Sequence, residues 1–139
     1  MVSINITAVL VSALAMFVVG FLMHGPVAGK LWMRLANIHP TGKEKLSDMY
    51  GQMFWNYVAN IVTALVMSGV FWIVFSSPMM GEMNAFRGAI VAFWLGLGFV
   101  VTAASMETIW MGRSVKLWLF EAFASVLGLM VMGAVLGGW

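Results

Sequence analysis

The chain has 139 residues, of which 63% are hydrophobic and only 9% charged, with a formal net charge of +2 and a mean hydropathy of +0.99. A soluble domain needs far more charge to cover its surface, so this composition excludes one and describes a polytopic membrane protein forming one transmembrane domain over residues 1–139. The small net charge excludes nucleic acid as an expected partner, and the lack of cysteine excludes disulfides, thiolate metal sites and cysteine nucleophiles.

A hydrocarbon core about 30 Å thick takes roughly 20 apolar residues to cross as helix. The first such run is Ile4 to Met23, stopped by His24-Gly25-Pro26. It lacks the basic n-region of a secretory signal and is as long as a full span, so it reads as a retained helix. Next, Leu31, Trp32, Leu35 and Ile38 are interspersed with Lys30 and Arg34, which predicts a short helix lying in the interface over Gly29 to Asn37 and broken by His39-Pro40. Thr41 and Glu44 have capping-box spacing, so the second helix is expected to begin near Gly42 and to project before entering the bilayer at Tyr50. Its membrane run is Gly51 to Phe75, stopped by Ser76-Ser77-Pro78; the third run is Gly88 to Met111 and the fourth Leu117 to Gly138. Unbroken apolar runs of this length satisfy their backbone as helices, not as alternating barrel strands. The expected fold is therefore all-α, a four-transmembrane-helix bundle with an interfacial helix after the first span.

Six of the seven basic residues, Lys30, Arg34, Lys43, Lys45, Arg113 and Lys116, fall in the two loops that share one side of such a bundle; Arg87 alone lies on the other. By the positive-inside rule both termini are expected on the non-cytoplasmic side of a bacterial inner (plasma) membrane. Trp32, Trp55, Trp110 and Trp118 cluster near the cytoplasmic boundary and Trp72 and Trp139 near the outer one, which reads as an aromatic belt. Lys30-Leu31-Trp32 is echoed by Lys116-Leu117-Trp118; interface preference for basic residues and Trp accounts for the echo without duplication.

Ionisable groups inside a membrane are costly and so draw attention. Glu107 and Glu121 lie symmetrically about Ser114 and would sit at one depth in an antiparallel hairpin, roughly one helical turn inside the boundary. Gln52, Asn56 and Asn60 are spaced by four on one face of the second span, which enters from the same side, and His24 ends the first span there. These residues predict a polar cluster in the cytoplasmic half, and three readings of it stand. The carboxylates pair with Lys30, Arg34, Arg113 or Lys116 and the amides bond between helices; or the cluster lines a ligand or ion pocket; or His24, Glu107 and Glu121 hold a metal. On the outer side, Met79, Met80 and Met83 offer soft thioethers of the kind that select Cu(I), with Met79 and Met83 converging if that stretch is helical; Met is also a common apolar filler. Gly88, Ala92 and Gly96 on the third span, and Gly133 and Gly137 on the fourth, form small-residue stripes that permit close helix approach, either within the bundle or between copies.

The stretch Gly20 to Leu35, with Pro26, Gly29-Lys30 and Trp32-Met33-Arg34, is similar to the signature after the first helix of the domain-of-unknown-function 1761 family. The second half also resembles it, through Arg113, Lys116-Leu117-Trp118-Leu119, Met132-Gly133-Ala134 and Leu136-Gly137. The resemblance implies a small four-helix bacterial inner-membrane protein without an assigned activity. The chain departs from the pattern at Leu22 to Pro26, at Glu107 and at Phe123-Ala124-Ser125.

No phosphate-binding glycine loop, zinc-protease motif or nucleophile elbow is present in the sequence, so the protein is expected not to be an enzyme and to need no cofactor. The expected function is association between transmembrane helices, as a homo-oligomer or as an accessory subunit of a larger membrane complex, with lipid as the surrounding partner. The alternative is a small transporter or ligand-binding protein using the cytoplasmic-side cluster.

Overall fold

A computed structural model describes residues 4–139, and those residues form helices joined by turns. Four helical stretches are long and apolar enough to cross a membrane: Ile6–His24, Leu46–Phe75, Ala85–Met111 and Val115–Gly138. The first is α1, Ile6–His24, started by Asn5, whose side-chain oxygen accepts from the Ala8 amide at 3.1 Å.

The chain then doubles back into α2, Gly29–Leu35. Two glycines make the reversal possible: a Cβ on Gly25 would stand 2.7 Å from the Phe21 carbonyl oxygen, and one on Gly29 2.7 Å from that of His24. The end of α2 is set by Asn37 in the left-handed region (φ 57°), with the Ile38 amide donating to the Met33 carbonyl at 2.8 Å and the Asn37 amide to that of Arg34 at 3.3 Å. This is a Schellman closure with Asn in the position usually taken by Gly. The helix therefore stops before His39-Pro40, not because of it.

The second span starts later than Gly42. Glu44 accepts from the Thr41 amide (2.7 Å), the Thr41 hydroxyl (2.8 Å) and the Gly42 amide (2.9 Å), but these bonds close a turn and no helix follows them. Gly42 adopts a φ of +77°, incompatible with a helical first turn. The helix begins one step on, where Asp48 accepts from the Lys45 amide at 3.2 Å and Leu46–Met49 forms a 3₁₀ turn leading into α3, Tyr50–Phe75. The 30 helical residues from Leu46 to Phe75 span about 45 Å, more than the bilayer core requires.

The third span is α4, Ala85–Leu95, and α5, Thr102–Met111, joined by a π-helical segment over Gly96–Val101. Asn84 caps α4 by accepting from the Arg87 amide at 3.0 Å, which starts the helix ahead of Gly88. The π-helical segment is a feature the apolar pattern does not announce. Its displaced backbone is satisfied by side chains: the Thr102 hydroxyl donates to the Gly98 carbonyl at 2.6 Å and the Trp118 indole to that of Val101 at 3.2 Å. Gly112, with a φ of +66°, ends α5, and α6 is Val115–Gly138.

The four spans pack as α3 beside α1, α1 beside α6 and α6 beside α4, while α4 and α3 touch only lightly. The result is a four-helix bundle with one loose seam. Helix α6 takes the central position because it carries small residues toward both neighbours. Gly133 faces α4, where a Cβ would stand 2.5 Å from both the Ala92 Cβ and the Gly88 carbonyl oxygen; Gly128 faces α1, where a Cβ would stand 3.2 Å from the Met16 side chain. The core, formed by Ala8, Val9 and Ala13 of α1, Ala64, Met67 and Phe71 of α3, Ala92 of α4 and Leu129, Met132 and Leu136 of α6, lies toward the end where α1 starts and α6 finishes. Toward the opposite end packing thins: α3 has no buried residue before Asn60, and α5 has none at all.

Candidate functional site

The open end holds most of the polar residues singled out above. Gln52 and Asn56 are exposed on the first turns of α3, and Asn60, one turn deeper, is buried and donates to the Asn56 side chain at 3.4 Å. Gln52 lies against the backbone of its own helix start, its amide nitrogen 3.2 Å from the Asp48 and Met49 carbonyls when turned to donate. Glu107 is half exposed on α5 and forms an ion pair with Arg113 just beyond Gly112. Glu121 is half-buried on α6. The structure brings Asn56 and Asn60 together, but α3 and α5 have no Cα atoms within 8 Å of each other, so the amides and Glu107 do not share a pocket. The expected common depth of Glu107 and Glu121, and the entry of the second span from the same side, carry no information on lateral position, and α1 and α6 set that position by lying between α3 and α5.

His24 takes a structural place in this arrangement. Its Nδ1 lies 2.9 Å from the Gly20 carbonyl oxygen, and its ring meets Trp32 of α2 and Phe120 of α6 edge to face, with centroids 5.2 and 5.7 Å away. The three rings join the end of α1, the interfacial helix and the start of α6. Among the described residues no three His, Asp or Glu gather closely enough to hold a metal ion.

Trp32 and Trp118 are thus not lipid anchors of the same kind as Trp55, Trp72, Trp110 and Trp139, all more than half exposed. Both are half-buried: Trp32 packs on His24, and Trp118 donates into the π-helical segment. Their shared Lys-Leu-Trp setting does not extend to geometry, since Leu31 is exposed while Leu117 is buried.

At the packed end the small-residue stripes meet one another. Gly88, Ala92 and Gly96 of α4 and the π-helical segment face Gly133, Gly137, Leu129 and Val126 of α6: a Cβ on Gly137 would stand 2.5 Å from the Asn84 carbonyl oxygen, and one on Gly96 3.0 Å from Leu129 Cδ1. These glycines are used inside the chain. The outer loop from Ser76 to Asn84 is turn rather than helix, so Met79 and Met83 do not converge on a helical turn; Met79 is 94% exposed. Arg87 ties this loop down, Nη1 donating to the Met80 and Glu82 carbonyls at 2.9 and 2.8 Å.

Two cavities that the sequence did not signal also lie at this end. One of about 390 Å³ is lined by Asn5 and Ala8 of α1, Ser68, Phe71, Trp72 and Phe75 of α3, Ser76 and Met83 of the loop, and Leu136 and Trp139. A second, of about 170 Å³, lies in the loose seam between α3 and α4 and is lined by Phe75, Met80, Arg87, Ile90 and Val91. Its only sequence signal is Arg87, the lone basic residue on this side.

The family model described as a protein of unknown function (DUF1761) matches residues 7–137, nearly the whole chain, and the protein belongs to that family. No curated protein and no solved structure matches the chain.

Proposed function

We propose that this four-span membrane protein is a non-enzymatic component of a bacterial inner membrane that acts by associating with other transmembrane helices, as a homo-oligomer or as an accessory subunit of a larger complex. The observation that carries this reading is the outward face of the third span at the open end. Helix α5 buries no residue in the chain, yet it turns Thr102 and Glu107 outward, and Gly98 beside it has open space where a Cβ would be. A second helix can approach closely at Gly98 and pack against the exposed Thr102 and the Glu107–Arg113 pair, shielding that pair from lipid. The stripes at Gly88, Gly96, Gly133 and Gly137 do not supply this surface, because the chain covers them itself. The alternative, a transporter or ligand-binding protein built on Gln52, Asn56, Asn60, Glu107, Glu121 and His24, finds less support, since it requires α3 and α5 to close on each other.

The chain has no native cysteine, so oxidative cross-linking of single-cysteine variants in native membranes tests the proposal directly. Thr102→Cys and Met106→Cys, both exposed and one turn apart, are expected to give one cross-linked species of fixed mass. Leu14→Cys, on an exposed turn of α1, serves as the lipid-facing control and is expected to give none. Cross-linking that is equal at both faces, or absent at α5, would reject association through this face.

A further inference from the structure

The two cavities at the packed end adjoin at Phe75, which lines both. The larger one has an apolar floor of Ala8, Phe71 and Leu136, each buried, and a rim of Asn5, Ser76, Trp72 and Trp139, each exposed. Its volume of about 390 Å³ falls in the range of small-ligand sites. Water has few partners on such a floor, and a hydrocarbon chain would restore the dispersion contacts that an empty space forfeits. The smaller cavity opens in the seam between α3 and α4, which barely touch, so the bilayer has a side entrance. Beside that entrance is Arg87. Its Nη1 is engaged with two loop carbonyls, while among the described residues Nε and Nη2 make no hydrogen bond and remain free to donate. It is the one Lys or Arg in the outer loop or near either chain end. A guanidinium with two free donors at the mouth of an apolar slot is complementary to a phosphate attached to a hydrocarbon chain.

We propose that the seam between α3 and α4 binds one anionic phospholipid from the surrounding leaflet, with an acyl chain passing Phe75 into the larger cavity and the phosphate against Arg87. This site is independent of association through α5, and either can fail without the other.

The test is native mass spectrometry of the delipidated full chain in mild detergent, titrated with phosphatidylglycerol or with phosphatidylcholine of identical chains. The wild type is expected to retain one phosphatidylglycerol per chain at about tenfold lower concentration than phosphatidylcholine. Arg87→Gln should remove the preference while leaving chain binding, and Ser68→Leu, which adds bulk inside the larger cavity, should weaken retention of both lipids. Arg87→Lys keeps the charge and should keep part of the preference. Thermal unfolding in the same detergent identifies any variant that fails to fold; if Arg87→Gln does, Ser68→Leu and Arg87→Lys decide. Equal retention of the two lipids by the wild type, a graded series of lipids without a one-to-one species, or a folded Ser68→Leu variant that binds as before would overturn the proposal.

Discussion

Glu44 shows how a residue pattern can carry the right chemistry at the wrong address. Glu44 does reach back to the Thr41 amide as the acidic member of a capping pair does, but the Thr41 hydroxyl donates to the same carboxylate, and the helix begins beyond them, at Leu46. The bonds from the Thr41 amide, the Thr41 hydroxyl and the Gly42 amide favour the ionised carboxylate and lower its pKa from 4.5 to about 2. Because the folded value is depressed, the turn gains stability from ionisation above the unfolded pKa and loses it as pH falls through the folded one. Amide hydrogen exchange at Thr41 and Gly42 is therefore expected to be protected at neutral pH and to accelerate, relative to its intrinsic rate, as pH drops from about 4.5 toward about 2. In Glu44→Gln the pH dependence should disappear. The paired Glu107 and Arg113 illustrate the converse: the pairing was among the readings open from sequence, and the structure selects it because Gly112 turns the chain back at a φ of +66°.

At the scale of elements, the small-residue stripes determine which helices meet. Gly133 admits α4 so closely that even one added methyl group would stand 2.5 Å from the Ala92 Cβ and the Gly88 carbonyl oxygen, whereas Gly69 on α3 has nothing within 4 Å. Gly133→Ala should thus destabilise the α4–α6 pair by roughly 1–3 kcal/mol through overpacking. Gly69→Ala should be neutral or slightly stabilising, since Ala is the better helix former. Thermal midpoints of the two variants in one detergent check this; equal midpoints would refute the close crossing. The π-helical segment over Gly96–Val101 belongs to this scale as well. Nothing in its apolar composition distinguishes it from α-helix, because its accommodation comes from Thr102 one turn on and Trp118 on another helix.

For the whole molecule, the bundle places the start of α1 and the end of α6 together and the two basic loops at the opposite end, which is the geometry that makes charge bias a statement about sidedness. Single cysteines at Lys43 in the long loop and at Ser77 in the outer loop should react with a membrane-impermeant thiol reagent from opposite faces, with Ser77→Cys labelled in intact cells and Lys43→Cys only after lysis. The reverse pattern would invert the assignment, and labelling of both in intact cells would break the four-span topology. The free row of apolar side chains on the bundle exterior, from Leu10 and Leu14 on α1 to Phe123 on α6, is the surface that lipid covers in this arrangement.

The sequence by itself determined the number of spans, their helical nature and their connection by an interfacial helix, because the cost of unsatisfied backbone in hydrocarbon leaves few solutions for four runs of this length and apolarity. Around Gly29 and Trp32 the structure gives the sequence pattern a local reason: the chain reverses tightly at Gly29, and Trp32 meets the His24 ring edge to face. Lateral neighbours were not legible. Hydropathy reports depth and helical spacing reports face, but neither states which face meets which helix, so the expected cluster of Gln52, Asn56, Asn60, Glu107 and Glu121 could be placed in one half of the bundle and not at one point. Only the tertiary structure decided that α6 sits centrally, that α3 and α5 stay apart and that α3 and α4 leave a seam, because those outcomes rest on contact distances at Gly88, Gly128 and Gly133 between residues far apart in the chain.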